Sequence, residues 1–209
     1  MRPYVVLAKL TLAGAVACGP SATPETPVRA VPEFSGEIVY KRSIASEDTG
    51  GVLAEVTPVR YFISGPRWKH CALDGSVIAE YFPDRNVVEF PGPLLRSVDA
   101  AVSSGPPSFE HLDETKWVLG RRCSGVRKTA PDETMSVFYD PNVFVEPSWY
   151  PNHHFGDWTE LLSATKGGLP LWWRSETNDV AMVFEATRLH AHSVPSELWG
   201  ARCPPEHDE

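Results

Sequence analysis

Apolar and polar residues alternate along much of this chain, a period of two that reads as β-strand. Ile38, Tyr40 and Ile44 share one face of residues 37–44, and Val59, Tyr61 and Ile63 repeat the pattern after Pro58. In residues 67–73, Trp68 and His70 oppose Arg67 and Lys69, and Asp74-Gly75 marks a hairpin into residues 77–82. Asp84-Arg85-Asn86 then leads to residues 87–90. The first half thus predicts a meander of short strands at the spacing of an all-β sandwich or barrel. Pro93 opens a predicted helical segment carrying Leu94, Leu95, Val98, Ala101 and Val102, ended by Ser103-Ser104-Gly105-Pro106-Pro107. Strands resume at residues 117–126 and 134–139, the second with Met135, Val137 and Tyr139 on one side. Residues 141–155 read as a loop rich in Pro, Asn and aromatic residues.

The period changes between Asp157 and Gly167. Asp157 stands three residues before Glu160 in capping-box spacing, Trp158, Leu161 and Leu162 give one apolar stripe, and Gly167 sits where a C-cap belongs. A strand through Gly168-Leu169-Pro170-Leu171-Trp172-Trp173 follows, then a turn at Glu176-Thr177-Asn178-Asp179. The return strand has Val180, Met182, Phe184 and Ala186 on one face. A helix feeding an antiparallel hairpin predicts a mainly β (α+β) fold. Such an order suits a concave sheet with a helix lying across its mouth.

At 209 residues the chain has room for one domain with a substantial core, and no second composition regime follows residue 34. Residues 34–203 are expected to form that domain, and 204–209 an acidic tail. The net charge is -8, or -10 once Arg2 and Lys9 are left out. Such a surface repels phosphate backbones and anionic head groups, which argues against nucleic-acid partners and leaves hydrophobic or covalent routes to a membrane. Residues 1–17 read as a signal peptide: two basic residues, a short apolar run, and the small-x-small site Ala15-Val16-Ala17 directly before Cys18. That order resembles the bacterial lipoprotein signal, in which the cysteine is lipidated and becomes the first residue of the mature chain. Ordinary secretion with cleavage at the same bond is the alternative. Residues 18–33 form a Pro/Thr/Ser-rich tether. The expected location is therefore the cell envelope, in the periplasm or anchored to a membrane such as the outer membrane. With Cys18 lipidated, Cys71, Cys123 and Cys203 are candidates for one disulfide. A bridge that pins the C-terminal tail favours Cys123 with Cys203, and the other pairings stay open.

Trp117-Val118-Leu119-Gly120-Arg121-Arg122-Cys123, Val137-Phe138-Tyr139-Asp140-Pro141, Gly168-Leu169-Pro170-Leu171 and the closing Val194-Pro195 come in an order that resembles a group of bacterial envelope proteins. One of these families is known by a Gly-Leu-Pro-Gly-Leu-Ile motif and another is a domain of unknown function. Both look like the lipoprotein carriers and lipid-binding lipoproteins of the periplasm. In this chain Leu171 replaces the motif's second Gly. The resemblance implies a strongly curved antiparallel sheet or open half-barrel, with one or two short helices plugging the concave face and an apolar cavity between them.

On that expectation the ligand-binding residues are Tyr61, Ile63, Trp158, Leu161, Leu162, Trp173, Met182 and Phe184, and the ligand is a lipid or other hydrophobic small molecule. Stacked Trp and Met also fill ordinary cores. A second reading is a structural or interaction lipoprotein with a filled core, meeting an envelope protein through residues 141–155, where Trp149 and Tyr150 look exposed. A third is a metal-dependent enzyme using His153, His154 and Asp157. His190 and His192 lie two apart on one strand face but lack a third ligand, and read as rim residues. Asp113 and Glu114 read as solvated turn residues. No nucleophile elbow or phosphate-binding loop is present, and no cofactor or metal is implied.

Overall fold

The computed structural model describes residues 31–46, 51–92, 95–97, 107–131, 133–177 and 180–204. The signal peptide, Cys18 and residues 205–209 lie outside them. Among the described residues eleven strands form one antiparallel sheet. In chain order they are β1 (Gly36–Ser46), β2 (Val52–Ser64), β3 (Arg67–Ala72), β4 (Val77–Phe82), β5 (Val87–Glu89) and β6 (Leu95–Ser97). After them come β7 (Ser108–Val118), β8 (Arg121–Ala130), β9 (Glu133–Phe144), β10 (Gly168–Thr177) and β11 (Val180–Ala191). The α-helix α1 (Trp158–Ala164) precedes β10.

The spatial order is β6-β5-β4-β3-β2-β1-β11-β10-β9-β8-β7. Two meanders therefore meet along β1 and β11, and β6 and β7, consecutive in the chain, occupy opposite edges. From Ser97 to Ser108 the chain spans at most about 40 Å, whereas eleven strands laid flat measure about 48 Å across. The connection is possible because the sheet curls, as the sequence pattern predicted.

Alternation assigns the two faces. Ile38, Tyr40, Val59, Ile63, Trp68, Tyr81 and Val88 point inward into the main core with Tyr150 and Leu162. Val126, Met135, Val137 and Tyr139 pack with Leu161 beside it. On the outer face, Phe62 and Cys71 pack beneath Val194, Leu198 and Cys203 of the C-terminal segment. Cys71 and Cys203 form the disulfide, and Cys123 is buried and unbridged. The tail is pinned as expected, but to β3 rather than to β8, because this segment crosses the β1–β4 side of the sheet.

That strap carries a buried polar network. Lys69, fully buried, donates to the Leu198 and Ala201 carbonyls at 2.7 and 2.6 Å and pairs with Glu80 at 2.8 Å. Glu80 accepts from the Gly200 amide at 2.8 Å. Arg60 pairs with Glu37 and donates to the Pro204 carbonyl at 2.5 Å. The first residue of the expected acidic tail is thus held against the body.

Several elements differ from the sequence pattern. Leu95–Ser97 is strand β6, not helix, because pairing with β5 satisfies backbone groups an edge strand leaves open; the rest of the predicted helix lies outside the described residues. The strand expected at 117–126 is a hairpin. Leu119 and Gly120 both have positive φ, 51° and 69°, as a tight two-residue turn requires. Asp113 and Glu114 sit in β7 where its pairing with β8 shifts register, not in a turn. Pro58 lies within β2, at the register shift opposite Lys41, where no ladder donor is needed.

Candidate functional site

The segment between β9 and β10 makes a lid over the inner face. A 3-10 turn at Pro147–Trp149 starts it, with Glu146 accepting from the Ser148 amide at 3.1 Å. Tyr150 then plunges into the core and its hydroxyl donates to the Gly65 carbonyl at 3.1 Å. Trp149 is partly buried against the same core. The two aromatics expected to be exposed are thus structural anchors of the loop.

Asp157 precedes α1 but does not cap it. Its backbone is left-handed at φ 54°, its side chain makes no capping bond, and its carboxylate pairs with Lys128 of β8. The amide a cap would serve, Thr159 N–H, goes to the His153 carbonyl at 3.0 Å. Glu160, the expected return half of a capping box, instead meets His154 Nδ1 at 2.6 Å. The helix closes with a Schellman motif: Gly167 N–H to the Leu162 carbonyl at 2.8 Å and Lys166 N–H to the Ser163 carbonyl at 3.2 Å. The left-handed residue is Lys166, and Gly167 follows it at φ 85°.

Between lid and sheet lies a cavity of about 430 Å³. Gly156, Trp158 and Leu161 roof it, Tyr61 and Ile63 of β2 line one side, and Trp173, Met182 and Phe184 of β10 and β11 form the floor. The structure brings together seven of the eight residues expected to bind ligand. Leu162 is the exception: one helical position beyond Leu161, it is fully buried in the main core. Aromatic rings form a continuous wall. Trp173 stacks on Phe184 at 4.2 Å, Tyr40 meets Trp173 edge-on at 4.8 Å, and Tyr61 lies 5.5 Å from Tyr40 and stacks on His70 at 4.2 Å. Burial drives both tyrosine hydroxyls well above their ordinary pKa, and Tyr40 donates to the Pro170 carbonyl at 2.6 Å. The sheet irregularity on either side of Pro170 frees that carbonyl.

One end of the cavity is polar. Lys128, buried among apolar side chains, pairs with Glu133 at 2.6 Å and with Asp157, and Ser175 donates to the second Glu133 oxygen at 2.5 Å. Burial by itself would raise the Glu133 carboxyl, but the bonds from Lys128 and Ser175 carry its pKa below the ordinary value. Burial would likewise lower the Lys128 ammonium, and its two carboxylates raise it. The alternation phase places Lys128 on the inner face, yet sequence gives no sign that two carboxylates from separate elements meet it there.

The histidines do not converge. His153 Nε2 accepts from Trp68 Nε1 at 3.2 Å, and its Nδ1 is buried with no hydrogen-bond partner. Tyr81, Tyr150 and Trp158 surround the ring at 4.4 to 6.4 Å. Burial lowers its pKa to about 4. His154 faces Glu160, and Asp157 faces Lys128, so the three residues of the enzyme reading serve three separate interactions. His190 is exposed, its ring 4.7 Å from that of His192, which donates through Nδ1 to the His190 carbonyl at 3.0 Å; neither lines the cavity. Among the described residues no group of three or more His, Cys, Asp or Glu is arranged to hold a metal.

Fold and site together define a class: a mainly β protein whose curved antiparallel sheet carries a roofed, largely apolar cavity. No family model matches the chain, and no curated protein matches it. Among solved structures it is similar to PNGF-II in its P21 and C2 crystal forms, each at 16% identity, with TM-scores of 0.49 and 0.45. Those matches cover 80% and 78% of this chain but 30% and 28% of the PNGF-II chains, so the chain spans less than a third of those proteins. Similarity of that depth carries no functional argument.

Proposed function

We propose that this chain is a non-enzymatic lipoprotein of the cell envelope, anchored through Cys18, that binds a hydrophobic ligand, a lipid or acyl chain, between α1 and the inner face of the sheet. The anchor rests on the export signal and the tether behind Cys18. The ligand rests on one observation, the cavity of about 430 Å³ walled by Trp158, Trp173, Tyr61 and Phe184. That volume falls within the roughly 300–1,000 Å³ of small-molecule sites. Moving an acyl chain from water into such walls gains about 0.8 kcal/mol per methylene.

The test is native mass spectrometry of the full chain beside the same sample denatured, together with titration by the neutral apolar fluorophore N-phenyl-1-naphthylamine. The expected result is a hydrophobic species that leaves on denaturation, and saturable dye binding. Met182→Trp, which fills the floor, should weaken that binding at least about ten-fold. A protein bare in both spectra that also ignores the dye overturns the reading. Among the described residues no helix is long and apolar enough to cross a membrane.

A further inference from the structure

The polar end of the cavity bears on which hydrophobic ligand fits. Two carboxylates, Glu133 and Asp157, share one ammonium, Lys128, so the cluster holds a net charge of one negative. Lys128 is consumed in that arrangement: it is buried and already placed between both acids. An incoming carboxylate or phosphate head would have to displace one of them and leave a second uncompensated charge in a desolvated site. Among the described residues the remaining lining supplies no countercharge. Of the described residues, Lys128 and Glu133 are the charged ones that line the cavity, and Ser175 gives its hydrogen to Glu133. Arg42, on the inner face of β1, does not line it and donates to the Thr57 carbonyl at 2.7 Å.

The walls point the same way by a separate route. Trp158, Tyr40 and Tyr61 border the same space. Aromatic faces carry negative potential and attract cations, organic ammonium groups above all.

Resting on the proposed ligand-binding role, we infer that the cavity takes a single-chain amphiphile with an ammonium head. The tail lies along Trp173, Phe184 and Met182, and the head sits by Glu133 under the lid. An anionic head of equal tail length is selected against by the same cluster.

The experiment displaces N-phenyl-1-naphthylamine from the full chain with three amphiphiles of identical tail, each below its micellar concentration: dodecyltrimethylammonium, dodecanol and dodecanoate. Dodecyltrimethylammonium should bind about ten-fold or more tighter than dodecanoate, with dodecanol between them, and added salt should narrow the gap. Glu133→Gln leaves Lys128 and Asp157 balanced and should cut the cation-to-anion ratio to about three or less. If dodecanol displaces the dye but dodecanoate matches or beats the cation, the head-group inference is wrong while the cavity reading stands. A dye and dodecanol that fail to bind at all bring down both. Should Glu133→Gln not fold, the wild-type series and its salt dependence decide the matter alone.

Discussion

His153 holds the lid loop in place as a neutral imidazole. Its ring is 1% exposed and ringed by aromatic groups; Nε2 accepts from Trp68, so the neutral ring carries its one proton on Nδ1, and a second proton would have to enter at Nε2 against the Trp68 N–H and place a charge in a buried site. The native pKa of about 4 lies below the ordinary 6.5. Between those values the unfolded chain takes up a proton that the native chain refuses, so stability falls as pH drops through that window and levels off below it. His70, stacked on Tyr61 and lowered to about 4 by burial, adds in the same direction. The fully expressed shift at His153 is worth about 3 kcal/mol. Urea midpoints measured between pH 7.5 and 4.5 should show this loss, and His153→Gln, which keeps an acceptor for Trp68, should remove about half of the slope. An unchanged slope would assign the acid sensitivity elsewhere. Nothing in the local sequence separates a buried His153 from a solvated one. The pattern of loop residues pointed to a polar surface, and only the packing of Tyr81 and Trp68 from distant strands reverses it.

At the scale of elements, the lid helix is short and depends on its ends. Gly167 is fixed there twice: its φ of 85° disfavours a side chain, and an added Cβ would lie 2.4 Å from both the Phe144 ring and the Val145 carbonyl oxygen. Gly156, at φ 65° before the helix, has nothing within 4 Å of the same added atom. Gly167→Ala should therefore cost about 3 kcal/mol or more, and Gly156→Ala about 1 kcal/mol, as read by chemical denaturation. Equal costs would mean that backbone conformation alone, not the close approach to β9, sets the requirement. Where local chemistry decides an element, the sequence was legible: the Asp74-Gly75 hairpin, the stripe of Trp158, Leu161 and Leu162, and the alternation of Met182, Phe184 and Ala186 all read through. It failed where an ordinary residue takes an unusual role. Leu119 turns a hairpin at positive φ with no Asn or Asp to announce it, and Leu95 follows a helix-opening proline into a strand because β5 offers it a partner. Of the cavity, the apolar half was legible from strand phase and the charged half was not, since Lys128, Glu133 and Asp157 come from three elements.

For the whole molecule, the outer strap and the inner cavity lie on opposite faces of the sheet, and this predicts independent behaviour. The Cys71–Cys203 bridge closes a loop with a sequence separation of 132, for which chain entropy gives about 5 kcal/mol. It also keeps Lys69 and Glu80 covered by the Leu198–Ala201 backbone. Cys203→Ser should lower stability by about 3–5 kcal/mol and speed amide exchange across residues 192–204, while affinity for N-phenyl-1-naphthylamine stays within about two-fold of the wild type. A parallel loss of dye binding would show that the two faces are coupled through the sheet.

The strand order carries one more consequence, in time rather than space. Each meander, β1 to β6 and β7 to β11, is built from neighbours in sequence and can form as the chain emerges. The seam between them joins Gly36–Ser46 to Val180–Ala191, nearly the whole described length apart. Until that last strand is made, β1 waits with one side unmatched, and the inner face has no second wall. The cavity, floored in part by Met182 and Phe184 of β11, therefore cannot exist before β11 is made and paired with β1.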